Sequence, residues 1–191
     1  MTKTRLEAYS DAVIAIIITI MVLELKVPQE HEWADLKPLF PVFGTYVMSF
    51  VYISIYWNNH HHLMHAVTKV DGRVLWANAH LLFWLSLIPF TSSWMGEHML
   101  ALVPVICYCI VMTMNGVAYY LLSLQLIRVN GKDSPLARAV GRETKGIISL
   151  CIYLVAIGLA FVDTRISLAL LALVAVIWFI PDRRIERKLE H

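Results

Sequence analysis

The chain has 191 residues, 59% of them hydrophobic and only 16% charged, with a formal net charge of +2 and a mean hydropathy of +0.65. A soluble chain is about half apolar and about a quarter charged, and one this short has too little interior to hide such an excess. Composition thus excludes disorder and argues against a water-soluble core, and the charge is too small for a nucleic-acid partner.

A bilayer core about 30 Å thick needs roughly 20 apolar residues in a helix. Six runs meet or approach this length. They extend from about Ala8 to Leu25, Leu39 to His62, Val74 to Met95, Met99 to Ile127, Ile147 to Val162, and Ile166 to Ile180. The last is short, and Arg165 with Arg183 and Arg184 extends its reach by snorkelling. The first run has the basic start of a signal peptide in Lys3 and Arg5. Asp11 within it and the lack of a small-residue cleavage site favour a mature helix instead. The expected fold is therefore an all-α integral membrane protein of six transmembrane helices, with residues 1–191 forming one domain. The closing Leu189-Glu190-His191 reads as a tag remnant.

Lysine and arginine are distributed unevenly between the loops. Lys3, Arg5, Lys69, Arg73, Arg128, Lys132, Arg138, Arg142, Lys145, Arg183, Arg184, Arg187 and Lys188 fall on the side of the amino terminus. These are thirteen of the 16 basic residues, and only Lys26, Lys37 and Arg165 fall opposite. The positive-inside bias puts both termini in the cytoplasm, which requires an even number of spans. The opposite loop, Glu24 to Lys37, carries Glu24, Glu30, Glu32 and Asp35. It reads either as a solvated loop or as an acidic vestibule that concentrates cations. Cys107, Cys109 and Cys151 lie inside apolar runs and read as small buried side chains rather than a disulfide framework. The two halves show no convincing repeat, which weighs against an inverted-repeat transporter.

Charge inside a span is costly and is a functional hypothesis by default. The first run carries one at Asp11. At about 100° per residue, Ala12, Ile16, Thr19, Ile20 and Leu23 form one stripe roughly 100° wide, and Ser10 and Asp11 fall outside it. From pattern alone the stripe is lipid-facing or packing surface, and Thr19 is a hydroxyl that bonds back to its own helix. The second run ends Trp57-Asn58-Asn59-His60-His61-His62, with His65 following. Neighbouring histidines on a helix cannot all reach one ion, and only His61 and His65 have i, i+4 spacing. Metal and haem ligation are thus minor readings. The main one is a buried hydrogen-bond network in which Asp11, Trp57, His60, His61, Asn78 and His80 satisfy one another at similar depth. No nucleophile and general base come together as an enzyme requires.

These residues also carry a resemblance. Arg5-x-x-x-Tyr9-Ser10-Asp11 is similar to the Arg-x-x-x-Phe-Ser-Asp signature that opens helix one in the transmembrane protein 175 family of potassium channels, with Tyr9 in place of the usual Phe. The likeness extends through Ala15-Ile16, Thr19, Val22-Leu23, Trp57-x-x-His60-His61, Leu75-Trp76-x-Asn78, Leu87-Ile88-Pro89-Phe90 and Gly96-Glu97. The resemblance implies a prokaryotic single-repeat member, a homotetramer in the plasma membrane whose helix one lines a central pore. It implies a moderately potassium-selective channel with no carbonyl filter and no cofactor beyond the permeant ion. Its partners are then membrane lipid, potassium ions and further copies of the chain. By position, Ile16 matches the narrowest constriction, Ile20 and Leu23 the apolar rings above it, and Thr19, with Ile16, the selectivity position. Arg5, Ser10 and Asp11 match the cluster that braces helix one. The alternative is a secondary transporter or a proton-coupled small-solute carrier, which needs a polar pocket at mid-depth.

Overall fold

A computed structural model describes residues 2–28, 31–98, 100–134, 136–137 and 144–179. Arg138, Arg142, Arg183, Arg184, Arg187, Lys188, Met99, Glu30, Ile180 and the 189–191 remnant lie outside the described residues. All the described regular structure is helical.

Helix α1 (Lys3–Leu23) starts five residues before the first apolar run, because its polar first turns continue the helix beyond the apolar core. A 3-10 turn over Trp33–Leu39 follows, closed by a reciprocal capping box between Glu32 and Asp35. The acidic loop is therefore partly folded. Helix α2 (Phe40–His65) begins with a proline at its start, where the missing N–H is of no consequence, and carries through the histidine run.

The third apolar run is two helices rather than one. Helix α3 (Gly72–Ser86) is N-capped by Asp71, whose carboxylate accepts from the N–H groups of Arg73 and Val74. Helix α4 (Ile88–Glu97) follows after a break at Leu87. Pro89 explains the break, since it offers no N–H to the Leu85 carbonyl and its ring crowds that carbonyl. Together they form one interrupted pass over Gly72–Glu97.

Helix α5 (Leu102–Asn130) ends where Gly131 adopts φ 99°, a backbone conformation that favours glycine. Helices α6 (Thr144–Ala160) and α7 (Thr164–Phe179) complete the described helices. The first four passes are long and apolar enough to cross a membrane, and α6 and α7 are shorter apolar helices.

Contacts between distant residues define two ends. At the amino-terminal end, the Asn130 side chain accepts from the N–H groups of Thr68 and Lys69 and donates to the Lys69 carbonyl. This ties the α2–α3 loop to the end of α5. At the far end, Lys26 pairs with Glu97, and the Thr164 hydroxyl donates to the Leu100 carbonyl at 3.0 Å. Helix α1 packs on α2, α3 and α4, and α6 and α7 pack on each other and on α5 and α2. Crossing of α2 and α4 is unusually close. A Cβ at Gly96 would stand 2.6 Å from Thr45 Oγ1 and 2.7 Å from Val42 Cα, so the crossing requires glycine there.

Candidate functional site

The two faces of α1 have different environments. Leu6, Ser10, Ile14, Ile17 and Met21 are buried against the rest of the protein. Ile16, Ile20 and Leu23 are 55%, 43% and 78% exposed. Ala12 and Thr19 on the same stripe are exposed too. The branched side chains read from the sequence as one stripe are thus the face that α1 does not use to pack within its own chain.

Thr19 sits within that face. Its hydroxyl donates to the Ile16 carbonyl at 2.9 Å, as a hydroxyl in an apolar helix does. The proton is committed backwards along the helix, so the oxygen lone pairs remain on the exposed side. Beside the stripe a groove of about 790 Å³ runs between α1 and the α3–α4 pass, with Ile16 and Ile20 on one wall and Phe90 and Trp94 on the other. Lys26 and Glu97 close its far end. The neighbouring carboxylate holds the Lys26 ammonium above its ordinary pKa, so it stays charged across the physiological range.

On the packed face, one chain of hydrogen bonds crosses three helices. The His60 Nε2 proton is donated to Asn78 Oδ1 at 2.8 Å. Asn78 Nδ2 donates to Ser10 Oγ at 2.9 Å, and Ser10 donates to the Leu6 carbonyl at 2.9 Å. All three side chains are buried, at 1%, 0% and 0% exposure. The chain fixes the tautomer of His60 and holds α1, α2 and α3 in one relative rotation. Nearer the surface, Trp57 Nε1 donates to Asp11 Oδ1 at 2.9 Å.

The remaining residues read as part of this network stand apart from it. His80 Nε2 accepts from Trp84 Nε1 at 2.9 Å, one turn along the same helix. His61 is exposed and stacks between Trp57 and His65. Arg5 is exposed and makes no hydrogen bond or ion pair among the described residues. No three His, Cys, Asp or Glu side chains among the described residues gather as a metal site requires.

A second polar chain lies toward the far end, in residues that the sequence reading passed over. Tyr108 donates to Ser49 at 2.9 Å, Ser49 to Ser92 at 2.8 Å, and Ser92 to the Thr45 carbonyl at 3.1 Å. It joins α5, α2 and α4. Ser49 and Tyr108 sit singly among apolar residues and Ser92 within Thr91-Ser92-Ser93, and the one available signal was that buried hydroxyls in such runs need partners.

The sequence profile of the endosomal/lysosomal potassium channel TMEM175 family matches residues 5–89. The chain is 50% identical over 191 residues, the whole length of both chains, to a protein of Chryseobacterium sp. (strain P1-3) named a potassium channel. It is 32% identical over 186 residues to one of the same name from Streptomyces collinus, covering 90% of this chain and 89% of that one. The crystal structure of a lysosomal potassium-selective channel TMEM175 homolog from Chamaesiphon minutus superposes with a TM-score of 0.82 at 27% identity, over 93% of this chain and 96% of that one. Identity of 50% along the whole of a bacterial relative and the shared all-helical fold converge on one assignment: the chain belongs to the TMEM175 family, a family of multi-pass membrane cation channels and not of enzymes.

Proposed function

We propose that this protein is a moderately potassium-selective channel of the prokaryotic plasma membrane, built as a homotetramer in which four copies of α1 surround the pore. The observation that carries this is the exposed apolar stripe of Ile16, Ile20 and Leu23, opposite a fully packed inner face. An exposed apolar face on a membrane helix is accounted for either by lipid or by further copies of the chain. The hydroxyl of Thr19 on that face bonds back to its own helix, as lipid tolerates, and on a conduction path its oxygen gains a role as a ligand. The bacterial relatives named potassium channels support the choice of ion.

On this reading four Ile16 side chains meet at the axis and exclude water, a constriction that closes by dewetting. Ile20 and Leu23 form apolar rings on the far side of it. A small outward shift or rotation of α1 opens the ring. Potassium sheds its water more readily than sodium and passes partly dehydrated, with the Thr19 oxygens or the waters they hold as ligands. Without a carbonyl cage the preference is moderate. The excess of basic residues on the amino-terminal side supports cytoplasmic termini. The exposed Lys26–Glu97 end of the groove then faces outward.

Reconstitution in liposomes under potassium and sodium gradients tests this. Wild type is expected to carry a potential-driven potassium current, and Ile16→Asn to raise its leak by about tenfold, because polar side chains rewet the ring. Unchanged conductance in a folded Ile16→Asn protein overturns the pore assignment. Saturable flux that ignores the membrane potential would mark a carrier instead.

A further inference from the structure

The outward surface of the protein changes in kind from one flank to the other. On α6 and α7 every large apolar side chain exposed among the described residues is aliphatic, Ile147, Leu154 and Val176 among them. On α2 the exposed large side chains are Phe40, Phe43, Val47, Phe50 and Trp57, spaced three, four or seven residues apart along one face. On the α3–α4 pass they are Trp76, Phe83 and Phe90. Tryptophan gathers at the headgroup level of membrane proteins generally. Phe50, Phe83 and Phe90, however, lie well inside their passes. Aromatic side chains are enriched where protein meets protein, so the aliphatic flank suits lipid and the aromatic surfaces suit another chain.

These two aromatic surfaces border opposite edges of the outer face of α1. At about 100° per residue, Asp11 lies about 140° round α1 from Ile16, and Ile20 lies about 40° the other way. Ala12, Thr19 and Leu23 fall between Asp11 and Ile16. Asp11 is the residue that bonds to Trp57 of α2. Ile16 and Ile20 instead line the groove with Phe90 and Trp94. One edge of the face thus carries the row of α2, and the other carries a hollow of about 790 Å³.

Row and hollow also lie at one depth. Within the chain Ser49 of α2 donates to Ser92 of α4 at 2.8 Å, and Thr45 stands against Gly96. Val47 and Phe50 are therefore level with the part of α4 from Phe90 to Trp94. Rotation about an axis along the membrane normal keeps every residue at its own depth, so it carries the row of one copy to the level of the groove in the next. We propose that the α2 row of one copy, centred on Val47 and Phe50, docks in the α1–α4 groove of its neighbour. The proposal rests on the reading of α1 as the lining of a symmetric pore, and it adds which surfaces meet. Two unlike patches are joined, so the copies assemble head to tail and close a ring.

Cysteine cross-linking of the full chain in its membrane tests the docking. Cys107→Ala and Cys151→Ala remove the accessible thiols, and Cys109 is fully buried and stays. In this background Phe50→Cys combined with Phe90→Cys, treated with a short bismaleimide, is expected to give a ladder of covalent bands up to four chains. Either change alone should give none, and co-expression of the two single variants should give a two-chain band and nothing larger. Val47→Cys with Ser93→Cys, at the same depth, serves as the second pair and should give the same three results. A two-chain band from Phe50→Cys alone would mean like faces meeting across a two-fold axis, and overturns the proposal. Single-chain bands from both pairs overturn it as well. Light scattering of the purified protein then separates the two readings: four chains without cross-links leave the pore assignment standing and remove only this contact, whereas one chain removes both.

Discussion

Ile14 and Ile16 are the same side chain two positions apart on one helix, yet one is 0% and the other 55% exposed. The inner face of α1 is a packed surface with a directional hydrogen-bond chain, and the outer face is an apolar surface with nothing of its own chain upon it. Composition does not distinguish them, since both are branched and aliphatic. What distinguishes them is the position of the polar residues. Ser10 lies on the inner face and finds Asn78. Thr19 lies on the outer face and bonds only to its own helix. The inner face sets the shape of the subunit, and on the proposed reading the outer face sets what passes through the assembly.

The sharpest way to break this comparison is to truncate both isoleucines. Ile14→Ala removes side-chain packing from a fully buried site and is expected to destabilise the folded protein by about 2–5 kcal/mol. Ile16→Ala should leave the unfolding of the subunit nearly unchanged and instead raise ion leak. Thermal unfolding in detergent and liposome flux, run on both variants, give the two readouts. Equal destabilisation by the two changes would show that the faces are not different in kind.

Next in size is the polar chain of the inner face. Asn78→Leu keeps the volume but leaves the His60 proton without its acceptor in a buried site. A stranded buried donor costs about 1–3 kcal/mol, so the unfolding temperature should fall by several degrees. Asp11→Ala offers the contrast, since the Trp57–Asp11 bond lies nearer the surface, where water replaces a lost partner. It should cost clearly less than Asn78→Leu, and the reverse order would put the brace of α1 at Asp11.

On the outer face, Thr19→Val keeps shape and β-branching while removing the hydroxyl. The proposed selectivity position predicts a potassium-to-sodium permeability ratio that drops toward unity, by a few-fold at most because no carbonyl cage is involved. Reversal potentials under bi-ionic conditions measure it. A ratio that holds in Thr19→Val moves selectivity from the hydroxyl to the apolar ring alone.

Much of this was legible in the sequence because a bilayer imposes length and polarity so strictly. Each of the six apolar runs holds helix, four of them long and apolar enough to cross a membrane, and 100° steps put Ile16, Ile20 and Leu23 on one face. The depth argument brought His60 and Asn78 into one region, and Ser10 came to it only through the family resemblance. Depth, however, does not fix rotation. His60 and His61 are neighbours at the same depth, and only the one that turns inward meets Asn78. His80 drops out because Trp84, four residues on, satisfies it first. Pro89 was visible, yet a run of apolar residues on both sides of it reads as continuous, so the break at Leu87 was hidden. The Lys26–Glu97 pair joins residues 71 apart, and no periodic pattern links them.

That pair supplies the finest test of where α1's outer face ends. In the single chain the Lys26 and Glu97 side chains are 78% and 38% exposed, and an ion pair so open to water contributes little to stability. Glu97→Gln should therefore leave the unfolding temperature of the subunit within experimental error at low and high salt alike. In the assembled channel the outcome depends on what covers the groove beside it. If neighbouring copies seal the groove only around Ile16 and Ile20, the pair stays wet at the outer mouth and the substitution remains silent in the oligomer as well. If they reach as far as Glu97, water is excluded and the lost partner leaves Lys26 as an uncompensated charge at a subunit contact. The oligomer then loosens while the subunit does not. Comparing subunit unfolding with oligomer dissociation for this one variant thus locates the outer boundary of the contact face to within a turn of α1.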